Sequence, residues 1–113
     1  MQNVSFLINT PEIPSWISLI EEIDNLGYKI VSEPEPAKTT IVLSGLQINP
    51  IIVHGRKVLL AYPVEASRGW EVVYIPILGE YYDRVVDVRK MSIEEIVDII
   101  RGEIEVTESR SKD

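Results

Sequence analysis

The sequence predicts an α+β fold of mixed α/β type. It opens β-α-β, continues as an antiparallel β-meander and closes with a C-terminal helix, giving a single mixed sheet with two helices. Three observations carry this expectation. Two helical apolar stripes, one near each end, flank a middle rich in β-branched residues. Short glycine-containing stretches, His54-Gly55-Arg56 and Ala66-Ser67-Arg68-Gly69, separate apolar runs in that middle as hairpin turns would. The order strand, helix, strand at the start favours a parallel first pair.

Val4 to Ile8 is a short apolar run that reads as the first strand, ended by Asn9-Thr10-Pro11. Trp16, Leu19, Ile20, Ile23 and Leu26 recur at helical spacing, while Ser18, Glu21, Glu22 and Asn25 fall on the opposite side. The helix is expected over Ser15 to Leu26, with Gly27 as its left-handed cap. Tyr28 to Ser32 follows as a second strand. Glu33-Pro34-Glu35-Pro36 must leave the sheet, because proline lacks a donor and fixes its neighbour in extended geometry.

Thr39 to Leu43, Ile51 to Val53, Lys57 to Val64 and Trp70 to Ile77 are the meander strands. Arg84 to Val88 is a last short strand. Ser92 and Glu95 have capping-box spacing, with Met91 and Ile96 placed as a hydrophobic staple. Ile93, Ile96, Val97 and Ile100 form the stripe of a second helix, expected to run from Ile93 to Arg101 and stop at Gly102. Residues 1–104 are read as one domain and 105–113 as a frayed polar tail.

Composition narrows the function classes. The chain has 113 residues and no cysteine, which excludes a disulfide scaffold and any thiolate-ligated metal. One histidine excludes a multi-histidine metal site within a single chain. The net charge of −7 argues against a protein that coats nucleic acid. No apolar segment reaches the length of a membrane span and no secretion signal is visible, so an intracellular, cytoplasmic protein with no membrane association is expected. Abundant Ile and Val with only three alanines is a thermophile-like habit and points to a thermophilic archaeon or one of its viruses.

Strands Lys57 to Val64 and Trp70 to Ile77 are apolar on both faces, so both faces need cover. With two helices available, a helix pair on one face would leave the other open. A homodimer is predicted on that ground, with a further protein partner as an alternative use of the same surface.

Motifs for catalysis and cofactors are lacking: there is no G-x-G-x-x-G, P-loop, H-E-x-x-H or G-x-S-x-G, and no cofactor is expected. Weaker candidates remain. Residues 37–70 hold four bases and one acid, inside an otherwise acidic chain. His54, Arg56 and Lys57 are therefore candidate anion contacts, or else the solvated tip of a hairpin. Lys38 and Leu78-Gly79-Glu80 are expected at that same end of the sheet. Ser44 and Gly45, at a strand end, let backbone N–H groups approach a ligand, and Arg68 would join them there. Glu80, Asp83 and Asp87 are acidic enough for Mg²⁺ but read more simply as a solvated edge. Trp70, Tyr81 and Tyr82 suit either base stacking or packing.

Three functions follow. The first is a non-enzymatic, homodimeric interaction module. The second is a small nucleotide- or sugar-phosphate-binding Rossmann-like domain centred on Ser44, Gly45 and Arg68. The third, disfavoured by net charge, is nucleic-acid binding through basic hairpin loops.

Overall fold

The computed structural model describes residues 2–9, 15–45, 55–62, 69 and 75–111. Five strands form one sheet: β1 (Gln2–Ile8), β2 (Ile30–Val31), β3 (Ala37–Ser44), β4 (Arg56–Ala61) and β5 (Arg84–Asp87). Their order is β2-β1-β3-β4-β5, and every neighbouring pair is parallel. The helices are α1 (Ser15–Asn25) and α2 (Ile93–Ser111), with a short helical turn at residues 75–78.

The antiparallel meander is therefore wrong, and the fold is a parallel α/β sheet. β3 and β4 run in the same direction, so no hairpin joins them, and Arg56, expected in a turn, begins β4. β4 and β5 are likewise parallel, and Ala66, Ser67 and Arg68 lie outside the described residues. Residues 75–78, expected at the end of a strand, are helical. Ile51 to Val53 and Trp70 to Tyr74 lie outside the described residues. The two-sided apolar character of β4 was itself the signature of a parallel sheet, because such strands are covered on both faces.

One face packs against both helices. Val4 and Phe6 of β1, Ile41 and Leu43 of β3, and Val58 and Leu60 of β4 meet Trp16, Leu19 and Ile23 of α1. Ile96, Val97, Ile100 and Ile104 of α2 complete that cluster. On the other face Leu7, Val42, Leu59 and Ala61 are sealed by Leu78 and Tyr82, with Tyr81 and Val85 packed alongside. The helices do share a face, as the dimer argument supposed, yet Val42, Leu59 and Ala61 on the opposite face are fully buried within one chain. The open sheet face that pointed to a dimer is thus covered.

Helix boundaries follow local chemistry. α1 ends in a Schellman motif: Gly27 N–H bonds to Asp24 O (2.9 Å) and Tyr28 N–H to Ile23 O (3.2 Å), with Gly27 at φ 90°. α2 begins at the expected capping box, where Glu95 N–H donates to Ser92 Oγ (3.2 Å) and Ser92 N–H to Glu95 Oε1 (3.4 Å). It does not stop at Gly102 but continues through residues assigned to the tail. Gly102 lies on the exposed side, whereas Glu103, Ile104 and Thr107 carry the buried stripe onward. A mid-helix glycine costs about 1 kcal/mol against alanine, less than the roughly 1.5–3 kcal/mol that burying one isoleucine supplies.

The link between β2 and β3 is unusual for a parallel sheet. Leu7 pairs with Val31 and Gln2 with Ala37, so residues 32–36 return from one end of β1 to the other and pass to its far side. That displacement is ~19 Å, and six Cα steps reach at most ~21 Å. Pro34 and Pro36 hold the backbone in the extended form the crossing needs.

Candidate functional site

A parallel sheet places strand exits along one edge and strand entries along the other. Ligand crevices form at the exit edge where neighbouring strands send their loops in opposite directions. Here that point lies between β1 and β3, since β1 connects outward to β2 and β3 connects the other way to β4.

Asn9 and Ser44 occupy it. Asn9 N–H caps β3 by donating to Leu43 O (2.9 Å), and Asn9 Nδ2 donates to Ser44 Oγ (3.1 Å). Ser44 is almost fully buried and its carbonyl accepts from Tyr62 N–H (2.9 Å), which ties the exits of β1, β3 and β4 together. Gly45 follows directly. Ser44 Oγ accepts from an amide and keeps its own proton to donate. An amide cannot take that proton, so Asn9 does not act as a base toward Ser44.

The remaining sequence candidates fall elsewhere. Arg56 and Lys57 begin β4, so they sit at the entry edge, roughly 17 Å along the strand from Ser44 and Gly45. Lys38 does lie beside them, since Thr39 pairs with Arg56 and Gly55 packs against the Lys38 carbonyl. His54 and Arg68 are outside the described residues.

Arg56 is committed to a partner within the chain. Its Nε and Nη2 donate to the two carboxylate oxygens of Glu103 at 2.9 and 3.0 Å, and Arg84 Nη1 adds a third bond at 3.2 Å. The Glu103 side chain is 5% exposed. Its hydrogen bond from Arg56 holds the carboxyl below its ordinary pKa, against the opposing effect of burial, and Arg84 acts in the same direction. The same bond raises Arg56. Beside this clamp Thr107 Oγ1 donates to Glu103 O (2.8 Å), so at the 2.7 Å contact between the two hydroxyls Thr39 must be the donor. The entry edge is thus a closed polar clasp between sheet and helix, and its arginine is already neutralised.

The acidic trio is not assembled either. Asp83 Oδ2 accepts from Lys57 N–H (2.7 Å) before β5, while Asp87 ends β5 and holds Arg89. Among the described residues no group of three or more His, Asp or Glu is placed to hold a metal ion. No helix there is long and apolar enough to cross a membrane. Tyr82 is packed on the second face, where burial raises its hydroxyl to a pKa of about 12.

Sequence reading named Ser44 and Gly45 but missed Asn9 and Glu103. Asn9 was legible only as a strand terminator, and its role depends on β3 lying parallel beside β1. Glu103 continues the buried stripe of α2 three residues after Ile100. That spacing was the available signal, and it was hidden by ending the helix at Gly102.

Comparison with protein-family models, with curated proteins and with solved structures finds no match for this chain.

Proposed function

We propose that this chain is a non-enzymatic α/β binding domain. It takes a small nucleotide or sugar phosphate at the sheet's exit edge, between β1 and β3. The observation that supports the reading is the Asn9–Ser44 pair at the point where the connections diverge. The exposed Asn9 amide is a neutral donor, held in place by the buried Ser44 hydroxyl beneath it, and Gly45 lets a ligand approach the backbone closely. Neutral donors can hold a phosphate on an acidic chain without a dedicated cation, as backbone-lined phosphate sites do.

The test is a thermal-shift screen of the whole chain against nucleotides and sugar phosphates, with and without Mg²⁺. A ligand at about 100 times its dissociation constant adds ~2.7 kcal/mol, which is a rise of roughly ten degrees for a domain of this size. Ser44→Ala should reduce that rise, and should lower the unliganded Tm by a few degrees, about the worth of its one hydrogen bond to Asn9. A flat response to every compound overturns the proposal.

A further inference from the structure

α2 is built from two unlike halves that meet at Gly102. Before it, Ile96, Val97 and Ile100 are buried in the cluster shared with α1 and the sheet. After it, Ile104 is the last member of that cluster, and Val106 is 44% exposed. Polar bonds take over there. Glu103 accepts from Arg56 of β4 and Arg84 of β5, Thr107 meets Thr39 of β3, and Glu108 accepts from the Tyr28 hydroxyl after α1. Gly102 itself is exposed, and nothing lies within 4 Å of the place a Cβ would take. Glycine gives up helical geometry more readily than any residue but proline.

The two halves are therefore held by different forces. Apolar burial is indifferent to protonation, whereas the second half leans on two carboxylates. The charged groups that face Glu103 are Arg56 and Arg84, with Asp83 next to Arg56. β1 carries no ionisable residue, β3 meets the helix through Thr39, and α1 gives the shared cluster apolar side chains. On α2 itself Arg101 and Glu105 are exposed. Arg56 and Arg84 hold the Glu103 carboxyl below its ordinary pKa, so the released carboxyl binds a solvent proton more tightly than the docked one.

We infer that residues 103–111 form an acid-released latch, hinged at Gly102, which comes off the entry edge while the sheet and the first half of α2 stay folded. Opening uncovers Arg56 and Arg84, which keep their protons. Such partial opening is characteristic of segments with few buried apolar contacts. The inference does not depend on phosphate binding at Asn9.

Amide hydrogen exchange in the ¹⁵N-labelled full chain tests it. Amides 105–109 should share one protection level, below that of 96–100, with a step at Gly102. Low urea should speed exchange at 96–100 and leave 105–109 nearly unaffected, because the latch exposes little surface. Protection at 105–109 should fall by up to about tenfold one pH unit below 4.5. In Glu103→Gln it should be low already at neutral pH and lose that acid dependence. Should Glu103→Gln fail to fold, Gly102→Ala stiffens the hinge and should raise protection at 105–109 by roughly two- to fivefold. One protection level and one urea response for 96–109 overturns the inference. So does a gradual decline from the C-terminus inward with no step at Gly102, or protection at 105–109 that ignores pH in the parent or ignores Gly102→Ala.

Discussion

Arg56 and Glu103 face each other across the sheet–helix boundary, two donors of one meeting both oxygens of the other at 2.9 and 3.0 Å. They are 47 residues apart in sequence, and the pair fixes the register of α2 over the entry ends of β3, β4 and β5. Bidentate geometry makes this a positional constraint as well as an attraction.

Glu103→Gln removes the charge and one acceptor while keeping the shape. Arg56 and Arg84 are 29% and 44% exposed, so water screens part of the loss. The expected destabilisation is about 1–3 kcal/mol, below the range for a fully buried pair, and is read from urea unfolding at neutral pH. A variant as stable as the parent would show that the clasp contributes nothing net.

The same pair sets an acid limb. The carboxyl is lowered in the folded state from an ordinary value of 4.5, so the unfolded chain takes up its proton first. Its contribution is complete above that value and is lost as pH falls through the lower folded-state pKa. Melting temperature should drop over this window more steeply in the parent than in Glu103→Gln. Parallel acid limbs in the two proteins would contradict the assignment.

Gly55 adopts φ 79° at the entrance to β4, and a Cβ there would overlap the Lys38 carbonyl. Gly27 has a similar φ of 90° with open space around it. Gly27→Ala should cost the left-handed penalty alone, about 1 kcal/mol, whereas Gly55→Ala should cost ~2 kcal/mol or more. Equal losses in parallel denaturant titrations would mean that the contact with Lys38 is relieved without strain.

At Gly102 the sign reverses. The residue is helical, exposed and unobstructed, so Gly102→Ala should stabilise the protein by about 0.5–1 kcal/mol. The check is a higher urea midpoint with an unchanged slope.

Two hydroxyls on the second face are buried without partners, Thr40 Oγ1 and Tyr82 Oη. Each gives up water and recovers no bond. Thr40→Val and Tyr82→Phe should therefore be neutral to stabilising, by up to about 1 kcal/mol each. Destabilisation beyond 1 kcal/mol, an approximate threshold on the scale of one hydrogen bond, would reveal a partner for that hydroxyl.

How far the fold could be read depended on whether the cause was local. The α1 stripe, the Gly27 cap and the Ser92–Glu95 box involve residues within five positions of one another, and each lies where the sequence placed it. Strand direction is not local. A positive-φ glycine beside a β-branched run fits a hairpin turn and a strand entrance equally well, and Gly55 is the second. Apolar residues on both faces of β4 fit a parallel sheet, whereas glycines between apolar runs fit a meander, and the fold obeys the first pattern. For the candidate site, Ser44 and Gly45 were visible as small residues past a strand end. Asn9 joins them only through the β1–β3 pairing, and Arg56 leaves the candidate set only through a glutamate 47 positions away.

The parallel order has a consequence for how the molecule comes into being. Among the described residues no strand pairs with its neighbour through a tight turn, and α2 is synthesised after all five strands it stabilises. Until it emerges, the cluster that holds Val4, Phe6, Ile41 and Leu60 lacks Ile96, Val97, Ile100 and Ile104. Long-range pairing of this kind folds slowly and leaves apolar surface waiting for its lid. Released chains that end before Ile93 should bind a hydrophobic dye, and the full chain with α2 should not. The nineteen residues of that helix make folding an event that is finished late rather than strand by strand.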